Sequence, residues 1–113
     1  RQPLFRKSFQ YAIKLRPDAI YILSAKYGLV ELDRMIDPYD VTLNKMSSFQ
    51  VRVWARRVLD ELGKKADINK DHFILLAPEK YRSYLIPFLG SYEVPLQGLS
   101  IGKQLQMLTE LTK

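Results

Sequence analysis

The stretch "AIYILSAKYGLVELDRMIDPYD", residues 19–40, decides how this chain is read. Its first seven residues, Ala19–Ala25, form a nearly continuous apolar run with branched and aromatic side chains. A run that short points to a buried strand rather than a helix. From Lys26 to about Met46 the chain is polar and charged, without helical spacing, and reads as a loop of about twenty residues. Loops that long inside compact domains are functional or disordered. Leu29, Val30, Leu32, Met35 and Ile36 make this one too apolar for disorder.

Working outward, "RQPLFRKSFQYAIKLR" (residues 1–16) puts Leu4, Phe5, Phe9, Ala12 and Ile13 on one helical face, and Arg16-Pro17-Asp18 breaks the pattern. No initiator Met and no strand stands before this helix, so a first strand is expected to be missing from the N-terminus. On the other side, "SSFQVRVWARRVLDELGKK" (residues 47–65) is the clearest helix. Ser47 and Gln50 fit a capping box, in which each side chain satisfies the other residue's backbone N–H. Val51, Trp54, Ala55, Val58, Leu59 and Leu62 make the apolar stripe, and Gly63 is a stop. "HFILLA" (residues 72–77) reads as a second strand, and "PEKYRSYLIPFLG" (residues 78–90) as a short helix ending before Pro87. "SYEVPL" (residues 91–96) is a third strand, and "SIGKQLQMLTELT" (residues 100–112) a helix capped by Ser100, with Ile101, Leu105, Leu108 and Leu111 or Thr112 on its stripe. Strands alternating with helices predict one α/β domain over residues 1–113, with a mostly parallel sheet of three to four strands flanked by helices.

The chain has 113 residues, no cysteine, one histidine and a net charge of +6. The absence of cysteine excludes disulfides, thiolate metal sites and cysteine nucleophiles, and one histidine excludes multi-histidine metal sites. No cofactor or metal motif is present. No stretch reaches the length of an apolar membrane span and no secretion leader appears, so a cytoplasmic protein without a membrane partner is expected. The positive charge fits a partner that carries phosphates.

In an open parallel sheet, ligands bind beyond the carboxyl ends of the strands. That edge gathers three loops: Ser24–Gly28, Pro78–Tyr81 and Gln97–Lys103. Ser24, Tyr27, Gly28, Tyr39, Gln97, Gly98, Ser100 and Lys103 are the candidate ligand-binding residues. Ser100 opens a helix whose free N–H groups favour an anion, and Lys103 adds charge. Asp37 and Asp40 flank Pro38-Tyr39; with Lys26 they are the candidate catalytic groups. Each has a plain structural alternative: a tight turn with a packed ring at Tyr27-Gly28, a turn starter at Asp37-Pro38, an N-cap at Ser100. Arg52, Arg56 and Lys64 point away from the apolar stripe of their helix and are candidate nucleic-acid contacts. His72 and Trp54 read as structural.

The segment "LSAKYGLVELDRMIDPYDVTLN" (residues 23–44) resembles the Ser-x-x-Tyr-Gly-Leu and Pro-Tyr elements of the YaaA-type peroxide-stress proteins. It is closer still to a family of small uncharacterised YaaA-like relatives. "VPLQGLSIGKQLQML" (residues 94–108), "VWARRVL" and "PLFRKSFQYA" are similar to that smaller family, so the resemblance spans nearly the whole chain. It implies DNA binding linked to protection from oxidative damage. A vaguer likeness to uracil-DNA-glycosylase-like domains implies a base or nucleoside ligand. Three functions follow as expectations: binding of a nucleic acid or nucleotide-like anion, an enzyme acting on a nucleobase or nucleoside, and an accessory interaction domain without a ligand.

Overall fold

The computed structural model describes residues 3–31 and 43–113. The chain divides into two units, Arg1–Ile20 with Val94–Lys113, and Tyr21–Glu93. The fold is mixed α/β.

The second unit is built around α2 (Ser48–Gly63). Its start is set locally. Ser47 Oγ accepts from Gln50 N–H at 3.2 Å, and Gln50 Oε1 accepts from Ser47 N–H at 2.9 Å, so the expected capping box is present. All six expected stripe residues, Val51, Trp54, Ala55, Val58, Leu59 and Leu62, are buried. They join Ala25, Leu29, Leu43, Leu85 and Leu89 in one core cluster. Trp54 meets Tyr81 edge to face, with ring centroids 5.5 Å apart, a geometry that sets positive ring edge against negative ring face.

The strands depart from the expected single sheet. β1 (Tyr21–Ser24) pairs antiparallel with β2 (Gly28–Glu31), whereas β3 (His72–Ile74) pairs in parallel with β4 (Ser91–Glu93). Among the described residues there are two two-stranded sheets and no mostly parallel sheet of three to four strands. The parallel relation expected between the second and third strands holds. The first strand instead turns straight back on itself. Ser24 pairs with Gly28 across three turn residues, and Gly28, at φ 77°, takes the left-handed conformation such a hairpin requires. The loop expected from Lys26 onward therefore begins with a strand, and it contains a 3₁₀ turn at Leu43–Lys45. The helix expected after Ala77 is short: α3 covers Glu79–Arg82, followed by a 3₁₀ turn at Ile86–Phe88 that contains Pro87. Lys65 pairs with Glu31 at the end of β2, and this carboxylate holds the Lys65 ammonium above its ordinary pKa.

In the first unit, α1 (Pro3–Lys14) packs on α4 (Ile101–Leu111). Arg16, at φ 52°, carries the chain out of α1 at the expected break. Lys14 Nζ donates to the carbonyls of Leu111 at 2.9 Å and Lys113 at 2.7 Å, placing a cation on the carbonyl-rich end of α4. Ser8, Leu96 and Leu108 are buried. Three stripe assignments need correction: Phe5 is 37% exposed, Ile13 51% and Ile101 66%. A helical period fixes which residues share a face but not how wide the covered part of that face is.

Candidate functional site

The Ser24–Gly28 turn is held by one side of α2. Ser24 Oγ accepts from the backbone N–H of Lys26 at 3.2 Å and of Tyr27 at 3.0 Å, closing the turn on itself. The Ser24 carbonyl accepts from Trp54 Nε1 at 2.8 Å. Arg57 donates to the carbonyls of Lys26 at 3.3 Å and Tyr27 at 3.0 Å. Glu61 Oε1 accepts from Leu29 N–H at 3.3 Å and lies 3.7 Å from Arg57 Nε. Trp54, Arg57 and Glu61 stand three and four residues apart, so they share one helix face. A Cβ on Gly28 would meet Glu61 Oε1 at 2.7 Å. Ser24 and Gly28 thus have a structural reason for their identities. Lys26 is exposed, with its ammonium 5.2 Å from the Tyr27 ring centroid, and Tyr27 is half-buried.

The other expected site residues belong to other parts of the chain. Asp37, Tyr39 and Asp40 lie outside the described residues. Gln97, Gly98, Ser100 and Lys103 belong to the first unit, whereas Ser24–Gly28 belongs to the second. Ser100 Oγ accepts from Lys103 N–H at 3.3 Å, so its hydroxyl caps α4 as the plain reading has it. Gly98 is at φ 81°, and Gly102 sits inside α4 with open space around it. In the Pro78–Tyr81 loop, Tyr81 packs on Trp54, and Arg82 donates to the Ala77 carbonyl at 2.9 Å. Among the described residues no group of three or more acidic or histidine side chains is placed to hold a metal ion.

The solvent face of α2 does assemble a group. Arg52 and Arg56 are exposed, one turn apart, and with Val53, Arg57 and Asp60 they line a shallow, open concavity. Among the described residues neither Arg52 nor Arg56 makes an ion pair, whereas their neighbour Arg57 is engaged by Glu61 and two carbonyls. Lys64 caps the C-terminus of α2 beside a separate depression, and Asp60 intervenes between it and Arg56. The basic group is therefore Arg52 and Arg56, without Lys64. Phe49 stands on the same side, 72% exposed, and Val53 is 55% exposed. Sequence reasoning passed over Phe49. Its signal was an aromatic residue placed off the apolar stripe of a strongly patterned helix.

His72 is exposed and bridges the parallel pair: Nδ1 is 2.6 Å from Ser91 Oγ and Nε2 is 3.1 Å from Glu93 Oε1. Both partners lie on β4, so the ring fastens β3 to β4 from one side. This agrees with a structural role for His72.

Residues 1–110 match a family described as a family of unknown function (DUF6884). Neither the curated proteins nor the solved structures give a match.

Proposed function

This chain belongs to the DUF6884 family, and we propose that it is a nucleic-acid-binding module whose contact surface is the solvent face of α2. One observation carries the reading: Arg52 and Arg56 stand a turn apart, exposed and without carboxylate partners among the described residues. Like charges at this spacing repel by a few tenths of a kcal/mol in an isolated helix. A phosphate backbone removes that repulsion and accepts several N–H groups from each guanidinium. The net charge of +6 adds a long-range field that speeds encounter with a polyanion. The resemblance to the YaaA-type proteins points the same way and adds protection from oxidative damage as the setting.

The test is the salt dependence of binding. Each phosphate contact releases counterions, so an arginine lost from the interface lowers the slope of log K against log salt by about one. Replacing both residues, Arg52→Gln with Arg56→Gln, is expected to lower the slope by about two and to weaken binding uniformly across sequences. Both side chains are exposed, and thermal melts of the variant should match the parent. An unchanged slope sinks the reading.

A further inference from the structure

We infer that the nucleic acid this face takes is single-stranded, with Phe49 as the stacking platform for a base; this rests on the nucleic-acid reading above. Phe49, Arg52, Val53 and Arg56 fall at i, i+3, i+4 and i+7, so ring, cations and a small apolar side chain share one side of α2. Among the described residues Phe49 is the most exposed of the large hydrophobic residues, and Val53 beside it is also open to water. The ring lies outside the core cluster of its unit, so the packing of that core does not account for it.

A duplex presents phosphates outward and keeps its base faces stacked on one another. It has use for Arg52 and Arg56 and none for an exposed phenyl face. A single strand offers both phosphates and free base faces, and a base stacks on an aromatic side chain regardless of sequence. The interval from Phe49 to Arg56 is about 10 Å along the helix, from the rise of 1.5 Å per residue. That is enough for a short piece of extended strand, with the base on Phe49 and the following phosphates on the arginines. Acidic peptides satisfy the charge of this face but not its ring.

The experiment titrates the whole chain with a fluorescein-labelled oligothymidylate, a duplex of the same length and, as competitor, polyglutamate. The single strand is expected to bind roughly ten-fold more tightly than the duplex, the scale of one stacked base. Phe49→Ala and Phe49→Leu should lose that ten-fold advantage, whereas Phe49→Tyr keeps it. Neither loss should touch duplex binding. The inference is overturned if Phe49→Ala binds the single strand as the parent does, if duplex and single strand bind alike, or if polyglutamate displaces the oligonucleotide at equal charge. Arg52→Gln with Arg56→Gln separates the two claims. If that variant loses binding while Phe49→Ala does not, the nucleic-acid reading stands and the single-strand inference falls. If the parent binds neither nucleic acid, both fall.

Discussion

Trp54→Ala is expected to destabilise the chain by about 3–5 kcal/mol, the range for removing a large aromatic side chain from a packed core. Three losses coincide. The indole is buried among the α2 stripe and its neighbours. Its ring edge contact with Tyr81 disappears. The Ser24 carbonyl also loses the hydrogen bond from the indole Nε1–H. Loss of that hydrogen bond adds about 0.5–1.5 kcal/mol to the cost of the missing volume. Folding energies of small domains are about 5–15 kcal/mol, so this variant approaches the unfolding threshold. Trp54→Phe separates the causes: it retains most of the packing and removes the N–H. Trp54 is the only tryptophan, so urea unfolding is followed by far-ultraviolet circular dichroism. A loss below about 1 kcal/mol for Trp54→Ala, the scale of an ordinary surface change, contradicts the place given to the ring.

Gly90→Ala is the second large effect, and it acts through the backbone. Gly90 N–H donates to the Ile68 carbonyl at 2.8 Å, tying the segment after α2 to the entry of β4. A Cβ at this position collides with the backbone carbonyl of Asn69. A backbone carbonyl cannot swing aside as a side chain does, so the two segments must part. The expected cost is about 1–3 kcal/mol, the range for overpacking a fitted contact. The shift should also disturb Ser91, the first residue of β4, and its contact with His72. Gly102→Ala is the matched control. Its Cβ meets open space inside α4, and alanine favours helix there by up to about 1 kcal/mol. Opposite signs in the two denaturation midpoints are the predicted result; equal shifts would show that glycine is not required at Gly90.

The difference between these glycines marks how far the sequence could be read. α2 was legible down to its cap and its six buried residues, because the capping box and the 3.6-residue period are local. The strand pairing was not. Alternation of strands and helices suggests a parallel sheet, but β1 and β2 are adjacent in sequence and joined by three residues, and a short hairpin closes with little entropy loss. Leu29 and Val30 are both buried, so β2 lacks the in-and-out alternation that betrays a half-exposed strand. Ser24, Tyr27 and Gly28 stood out as candidate ligand-binding residues, and the structure gives Ser24 and Gly28 a place in the turn held by α2. Their partners Trp54, Arg57 and Glu61 lie about thirty residues further on, and no local pattern announces that clasp. That Arg52 and Arg56 are exposed was legible, because they fall off the apolar stripe. Phe49 falls off it too and is 72% exposed, but the sequence reading assigned it no role.

The most direct test of the account is an amide chemical-shift map of the whole chain during titration with an oligothymidylate. The account predicts progressive shifts confined to the exposed side of α2, at Phe49, Arg52, Val53 and Arg56, with smaller changes towards Asp60. Shifts centred instead on Ser24–Gly28 or on Gln97–Lys103, with α2 silent, would contradict it and return the site to the strand-end loops.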